Sequence, residues 1–540
     1  MPGETDAVVI GAGPNGLVAA NLLADAGWSV VVLEAEADPG GAVRSGELTV
    51  PGFVHDRFSA FYPLGAASPV LNGLELDRYG LRWRRSPLVL AHPRPDGRCP
   101  VMSTDLDETA ASLDADAPGD GDAWRRLSGL WERVGGPLLD ALLTPFPPVR
   151  AGARLAARLG PAGILRFARL GVSSVQRLAE EEFAGEGAAL LLTGAALHTD
   201  LAPNSAGSSI FGWLLCGLGQ QVGFPVPDGG AGRLTAALVD RLAARGGRVV
   251  CGARVTRVVV RDGRAAGVVT AGGDEVAAGR AVVADVGAPA LYRDLVGPEH
   301  LPASVLDDLR RFQYDYSTVK VDWALDGPIP WAAEAARRAA TLHVADGMDH
   351  YIESSGDLLS GRIPARPALV MGQMAVADPT RSPAGTETAW AYTHVPQTVR
   401  GDAGGDLTGR WDFGEAEAFG DRVEARIERL APGFRSLIRG RYVATPPILE
   451  AADANLVGGA VNGGTAQLHQ QLVFRPIPGL ARAETPVRGL YLGSASAHPG
   501  GGVHGACGSN AARAALAADR LQRARVLAAG AAATVARRAR

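Results

Sequence analysis

The stretch Asp6-Ala7-Val8-Val9-Ile10-Gly11-Ala12-Gly13-Pro14-Asn15-Gly16 decides the fold of this 540-residue chain. Its first five residues are rich in β-branched side chains and predict a strand, and apolar residues at helical spacing after Gly16 predict a helix. Between them, Gly11 would allow a sharp turn, Gly13 would let a pyrophosphate approach the backbone, and Gly16 would let the helix pack on the strand. The free N–H groups and positive dipole at the start of the helix favour phosphate binding.

A second strand and an acidic residue follow at the spacing that a dinucleotide site requires. The sequence predicts a strand from 29 to 33, and Glu34 lies 18 residues after Gly16. A carboxylate at this position accepts hydrogen bonds from both ribose hydroxyls and disfavours a 2′-phosphate. Gly40, Gly41 and Arg44 then suit a second pass of backbone along the same pyrophosphate. The alternative for these three residues is an ordinary surface turn with a solvated arginine.

Composition excludes several classes of function. Lysine and arginine total 53 against 57 acidic residues, and the net charge of -4 provides no general attraction to nucleic acid. Lys320 is the single lysine and follows no glycine-rich loop, which excludes a P-loop. The four cysteines lie too far apart for a redox pair or a zinc site, so we expect no metal; they are Cys99, Cys216, Cys251 and Cys507. No secretory leader precedes the first strand, which predicts a cytoplasmic protein.

Both ends of the chain resemble known flavoproteins. The glycine turn, Glu34, Gly40-Gly41 and Arg44 resemble the FAD-binding half of the glutathione-reductase-like flavoproteins. The stretch from Leu490 to Ala506 contains a His-Pro-Gly-Gly-Gly motif and resembles the closing motif of the phytoene-desaturase-related FAD-dependent oxidoreductases, and Val226 to Leu234 resembles their central FAD segment. Four further motifs resemble the branch of that family named for a pyridine nucleotide-disulfide oxidoreductase domain: Pro51-Gly52-Phe53, Gly463-Gly464, Gln467-Leu468-His469 and Phe474-Arg475-Pro476.

The resemblance implies an α/β fold, in which a glutathione-reductase-like Rossmann FAD-binding domain is interleaved with a substrate domain of mixed sheet and helices. The FAD-binding domain would comprise 1–75, 225–290 and 485–525, the substrate domain would comprise 76–224 and 291–484, and 526–540 would form an arginine-rich tail. FAD is the implied cofactor. We expect no disulfide cycle, because paired cysteines and a second glycine turn for NAD(P)H are missing from the sequence.

The resemblance also implies which residues contact FAD. They are Gly11, Gly13, Pro14, Asn15, Gly16, Glu34, Ala35, Gly40, Gly41, Arg44, Val255, Ala284, Asp285, Ser494, Ala495, Gly502, Val503 and Gly505. Glycines of the tail motif can adopt φ > 0 and turn successive N–H groups toward an anionic flavin oxygen; a connector needed only for packing is the alternative. Asp285 would otherwise cap the helix after Pro289. Ser494-Ala495-Ser496 departs from the family's usual Gly-Ala-Gly, which leaves less room for close backbone contact.

Two histidines are the candidates for catalytic side chains. His498 is the first, because its motif places it at the cofactor, although a histidine there would equally brace the loop. His469 is the second, together with Arg475.

Other polar side chains have two interpretations each. His198 and Asp200 would line the substrate cavity or cap a loop. Lys320 falls on a predicted strand from 318 to 325. There it would either order a water, as lysines do in some amine oxidases, or form a partly solvated pair with Asp322.

The leading functional hypothesis is an FAD-dependent oxidoreductase of the phytoene dehydrogenase type. It would remove hydride from, and so desaturate or oxidise, a hydrophobic substrate resembling an isoprenoid or carotenoid. An amine or alcohol oxidase of the same fold and a low-turnover regulatory flavoprotein are the alternatives. The electron acceptor would be a quinone, oxygen or NAD(P)+. Arginines and apolar residues between 154 and 170 would form a membrane-facing lip or an ordinary solvated surface.

Overall fold

The computed structural model describes the backbone of residues 5–538 and the side chains of residues 5–528. Its first sheet combines a parallel core with an antiparallel hairpin. The seven strands are Thr5–Ile10, Val30–Leu33, Arg248–Val250, Val255–Arg261, Arg264–Thr270, Glu275–Ala284 and Leu490–Leu492. The first strand lies between Val30–Leu33 and Glu275–Ala284, parallel to both, and Leu490–Leu492 pairs in parallel with the far side of Glu275–Ala284. The predicted α/β class is therefore confirmed.

The register of this sheet brings distant parts of the chain to one edge. Ile10 lies opposite Leu33 and Ala284, and Ala284 lies opposite Leu492. Because parallel strands end at the same edge, the residues that follow them, including Gly11, must meet there.

Three helices cover one face of the first sheet. They are Pro14–Asp25, Gly232–Ala244 and Ala506–Arg538. Their apolar residues share one core with the alternate residues of the first strand, such as Ala7 and Val9. The last helix begins at Ala506 and continues through the predicted arginine-rich tail as far as Arg538. The domain boundaries stay a prediction.

The second sheet is mainly antiparallel. Its seven strands, in spatial order, are Ile438–Ala444, Ser317–Leu325, Glu387–Val395, Leu369–Gln373, Ala339–Val344, Leu88–Ala91 and Val101–Met102. The alternation predicted for 318–325 is confirmed, because Val319, Val321 and Trp323 pack in one core with helix Phe413–Leu430. We call the opposite face of this sheet, which carries Lys320 and Asp322, the substrate face.

A layer of helices lies beside the substrate face. Its members are Asp120–Leu143, Val149–Val172, Val175–Glu182, Glu186–Ala196 and Ser208–Val222. The second of them bends at Gly160, just before Pro161, because the φ of 68° at Gly160 is not helical. Further helices are Pro63–Ala67, Pro69–Asn72, Leu106–Asp114, Ala303–Leu309, Met348–Leu359 and Pro446–Ala452. Among the described residues, no helix has the length and apolar character that crossing a membrane requires.

Candidate functional site

The glycine turn near the start of the chain lies against the glycine-rich tail. A Cβ atom placed on Gly508 would lie 1.9 Å from the carbonyl oxygen of Asn15, so the first and last helices approach closely. Gly505 has a φ of 70°, and a Cβ there would lie 2.9 Å from Val18. The two segments that the sequence assigned to one cofactor are therefore neighbours.

The glycine turn has little space for side chains. Gly11 has a φ of 92°, and a Cβ on Gly16 would lie 2.2 Å from the Gly11 carbonyl oxygen. Pro14 is the first residue of the helix, and Gly13 before it provides no side-chain cap. The start of the helix therefore presents backbone N–H groups as an anion site would.

Asp285 closes this turn from the neighbouring strand. Its Oδ2 accepts a hydrogen bond of 2.8 Å from the backbone N–H of Gly16. Ala284, just before it, is fully buried in the sheet. Burial raises the pKa of Asp285 to about 7, and Asp453 and Glu34 add to the rise. The alternative that Asp285 caps the helix after Pro289 is wrong, because residues 290–296 begin with no side-chain cap.

Glu34 is buried beside the turn and points back to it. Its Oε2 accepts a hydrogen bond of 2.6 Å from the Ala12 N–H, and its Oε1 accepts one of 2.9 Å from Glu36. Ala35 lies between the two glutamates, and Val255 begins the nearby hairpin. The acid predicted to contact the ribose thus lies at the same sheet edge as Gly11.

The second glycine pair also reaches the turn. The Gly40 N–H donates to the Ala12 carbonyl at 2.8 Å, and a Cβ on Gly41 would lie 3.1 Å from the Cα of Gly13. Arg44 is buried and donates to the carbonyls of Gly41 at 2.9 Å and Ala452 at 2.5 Å. The alternative of a surface turn with a solvated arginine is therefore wrong.

We call residues 493–505, between the last strand and the last helix, the tail loop. Two of the three glycines of its motif have the positive φ predicted for them, and Gly501 does not. Gly500 and Gly502 have φ values of 116° and 112°. Ser494 is buried, Ala495 is half-buried, and Val503 is also half-buried. Ser494 to Ser496 holds its shape partly through the Ser496 hydroxyl, which donates to the carbonyl of Gly463 at 3.0 Å.

Arg475 organises the segment that faces this loop. The guanidinium is almost fully buried and donates to four carbonyls: those of Ala495 at 2.8 and 3.1 Å, Asn462 at 2.9 Å, Thr465 at 3.1 Å and Gly464 at 3.5 Å. Burial lowers the pKa of Arg475. The sequence named Arg475 as a second catalytic candidate, whereas these contacts give it a role in positioning the loop.

Two carboxylates hold the same segment by its N–H groups. Asp315 accepts hydrogen bonds from Val461 at 2.9 Å and Asn462 at 3.0 Å, and Asp200 accepts one from Ala466 at 2.7 Å. The sequence offered Asp200 as a possible loop cap but gave no signal for Asp315. Only the Gly463-Gly464 motif marked the segment, because its buried charges come from distant parts of the chain.

The histidines differ in their surroundings. His498 is buried, its ring lies 5.9 Å from that of Phe146, and neither ring nitrogen has a hydrogen-bond partner among the described residues. Burial lowers its pKa to about 4, so the ring is neutral at pH 7. His469 is exposed, in the short turn Leu468–Gln470. The structure thus brings His498 to the tail loop and leaves His469 at the surface.

The residues around the turn fit an extended polar ligand such as FAD. Buried polar atoms without partners among the described residues lie on both segments and between them: Asn15 Oδ1, Asn462 Nδ2, both ring nitrogens of His498, and both amide atoms of Asn510. Buried polar groups normally have partners, so such a set indicates a ligand. The glycine turn, Glu34 and Arg44 would hold the dinucleotide, and the tail loop would hold the flavin ring.

Comparisons with known proteins agree with this geometry. Residues 15–389 match the family described as flavin containing amine oxidoreductase. The chain is 29% identical to the pyridine nucleotide-disulfide oxidoreductase domain-containing protein 2 of Rattus norvegicus, over 94% of this chain and 93% of that protein. It is 27% identical to a lycopene-forming phytoene desaturase of Pseudescherichia vulneris, over 95% of this chain and 99% of that protein. The resemblance stated from the sequence is confirmed.

A solved structure shows the same fold. Cyclohexylamine oxidase from Brevibacterium oxydans superposes with a TM-score of 0.56 at 16% sequence identity, over 96% of this chain and 100% of that chain. At this identity the likeness concerns the fold alone.

Proposed function

Because the chain belongs to the flavin-containing amine oxidoreductase family and is an FAD-dependent oxidoreductase, we propose that it removes hydride from a hydrophobic substrate resembling an isoprenoid or carotenoid. Bound FAD supplies the hydride acceptor. The chain's own residues would hold the substrate, exclude water and set the polarity around the reacting C–H bond.

The observation that carries the proposal is an aromatic path from the tail loop along the substrate face. A Cβ on Gly502 would lie 3.0 Å from Leu64, in the segment that also carries Phe61. The ring of Phe61 lies 5.8 Å from that of Trp390, which stacks on Tyr392 at 6.1 Å. Aromatic side chains in such a row would bind an apolar chain through hydrophobic and dispersion contacts.

The charged groups on this face are already paired. Lys320 is buried and bonds Asp322, whose Oδ1 also lies 3.4 Å from His55. The pair with Asp322 is confirmed, but the expected partial solvation is wrong. Asp322 is not free to bind an ammonium substrate, because Lys320 already pairs with it. The substrate face therefore suits an uncharged substrate better than an amine. By its name, the phytoene desaturase among the relatives acts on such a compound.

Anaerobic titration of the purified holoenzyme tests the proposal. We expect isoprenoid lipid extracts to bleach the flavin band at roughly 450 nm, because hydride transfer reduces the ring. Phytoene is the first pure compound to test. Adding a quinone, oxygen or NAD(P)+ afterwards should identify the acceptor by the return of the band.

The rival hypotheses give different results in the same titration. Bleaching by amines or simple alcohols, with rapid peroxide formation in air, would support an oxidase instead. A flavin that no extract bleaches would support a regulatory protein.

We also propose that the protein acts in the cytoplasm at a membrane surface. Helix Val149–Val172 exposes Val149, Leu165 and Val172, with 72%, 75% and 60% of each residue accessible. Arg150, Arg158 and Arg166 are exposed on the same helix and have no salt bridge within the described part of the chain. The predicted apolar stripe, which includes Leu155 and Leu159, packs inward instead. Exposed apolar and cationic side chains together favour an anionic bilayer.

Vesicle sedimentation checks this surface. We expect the protein to bind vesicles with anionic headgroups, less so in high salt, and Leu165→Ser to weaken binding about fivefold, since one leucine contributes roughly 1 to 2 kcal/mol. Phe413→Ser, at a residue that is 82% exposed on another helix, is the matched control and should bind normally. Equal binding by the wild type, Leu165→Ser and Phe413→Ser would mean that this helix has an ordinary solvated surface and does not contact the membrane.

A further inference from the structure

A small cavity lies where the substrate face meets helices Glu186–Ala196 and Met348–Leu359. We call it the histidine cavity. It has a volume of about 30 Å³, and a single water needs roughly 10 to 15 Å³. The polar residues that line it are His343, Tyr351, Ser354, Ser355, Tyr392, Thr393 and His394. The lining contains no carboxylate, no lysine and no arginine.

His394, a residue of the lining, has one ring nitrogen that is a fixed hydrogen-bond acceptor. His394 Nε2 lies 3.1 Å from the carbonyl oxygen of Leu197. A carbonyl only accepts, so Nε2 carries the proton and Nδ1 of the neutral ring has a free lone pair. Nδ1 is buried and has no partner among the described residues. A ligand must therefore donate a hydrogen bond if it is to satisfy His394.

Two further groups of the lining are also unpartnered. The hydroxyl of Tyr351 has no hydrogen bond within the described residues, and neither has His343 Nδ1. The other nitrogen of His343 lies 3.2 Å from His198 Nε2, and His198 Nδ1 lies 3.3 Å from the Tyr392 hydroxyl. These two contacts fix the ring of His343. The Tyr351 hydroxyl can both donate and accept a hydrogen bond.

The cavity is electrically neutral at physiological pH. Burial lowers the pKa of His198 to about 4 and also lowers the pKa values of His343 and His394. Neutral rings give a carboxylate or phosphate no cation to bind. An ammonium group would find no carboxylate in the lining.

The cavity continues the aromatic path that leads from the tail loop. Trp390, Tyr392 and His394 alternate along strand Glu387–Val395, so their side chains share the substrate face. The rings of Tyr392 and His394 lie 5.8 Å apart. A long apolar substrate lying along this strand would place one end beside His394.

We propose that the histidine cavity binds a hydroxyl group on the end of a hydrophobic substrate, so that the substrate class is an isoprenoid alcohol. The inference rests on the proposed function. A hydroxyl that reaches both residues would donate to His394 Nδ1 and accept from the Tyr351 hydroxyl. A carbonyl group only accepts and leaves His394 without a donor, and a hydrocarbon satisfies neither residue.

The test compares matched probes on the holoenzyme. The probes are geraniol, farnesol and geranylgeraniol, each beside the hydrocarbon that lacks only its hydroxyl, and dissociation constants come from the change in flavin absorbance. We expect at least one alcohol to bind about tenfold more tightly than its hydrocarbon. Tyr351→Phe and His394→Phe should each reduce that preference about fivefold or more and leave hydrocarbon binding unchanged. Tyr292→Phe, at a buried tyrosine packed under the first sheet, should change nothing.

The outcomes separate the two proposals. Equal binding of alcohols and hydrocarbons, or a preference that survives both Tyr351→Phe and His394→Phe, would overturn the hydroxyl site. Flavin reduction by hydrocarbons alone would also overturn it while leaving the proposed function intact. A holoenzyme that neither binds nor is reduced by any of these compounds would overturn both.

Discussion

Replacing Gly16 by alanine should produce a folded protein that binds FAD at least about tenfold more weakly than the wild type, and purifies with little yellow colour. The new Cβ would lie 2.2 Å from the carbonyl oxygen of Gly11 and 3.1 Å from the Cβ of Asp285. Neither the backbone oxygen nor the strand behind it can move without opening the turn, and overpacking of this kind costs about 1 to 3 kcal/mol. The measurement is the FAD content on purification and the dissociation constant for added FAD.

A matched glycine on another helix controls for the added methyl group. Gly136 is exposed in helix Asp120–Leu143, and a Cβ there meets no atom within 4 Å. Gly136→Ala should keep full FAD content and change the stability by less than about 1 kcal/mol, because Pro137 follows it and offsets the gain in helix propensity. If Gly16→Ala bound FAD as tightly as Gly136→Ala does, the glycine turn would not be part of the cofactor site.

Replacing Arg475 by methionine should lower the free energy of unfolding by about 3 kcal/mol or more and release FAD. Its guanidinium satisfies four buried carbonyls on the two segments that meet at the tail loop. Methionine fills similar volume but leaves those carbonyls unpaired, and each lost bond to a charged donor costs roughly 1.5 to 3 kcal/mol. Arg475→Lys should lose much of the same stability, because one ammonium cannot reach the positions of a planar fork.

Thermal unfolding followed by flavin fluorescence measures this effect. Arg482→Met is the control, since Arg482 is an exposed residue whose one salt bridge within residues 5–528 is with Glu484, and such surface pairs contribute little. The expected change for the control is within about 0.5 kcal/mol. An Arg475→Met protein that unfolds at the wild-type temperature with its FAD retained would show that the loop keeps its shape without the guanidinium.

The cofactor half of the site could be predicted from local stretches of the sequence. The residues from Asp6 to Gly16 predicted a strand, a turn and a helix, and all three are present. Such motifs can be recognised in a sequence because each glycine is required by steric contacts with residues close to it in the chain. Glu34 was readable for the same reason, since its distance from the turn is set by one helix and one strand.

The substrate half was much less readable. The sequence predicted a solvated pair for Lys320 and Asp322, whereas both are buried beneath Trp390 and beside His55. It gave no sign that Tyr392, His198 and His343 form one chain of contacts. These residues lie up to 194 positions apart, and only the pairing of strands and the packing of helices brings them together.

The sequence by itself determined that a glycine turn of the dinucleotide-binding type and a glycine-rich tail belong to one α/β protein, because those features are local and sterically specific. Only the tertiary structure decided which buried charges hold the tail loop and which neutral groups line the histidine cavity. Burial, partner atoms and protonation are properties of a packed environment, and a linear order of residues does not contain them.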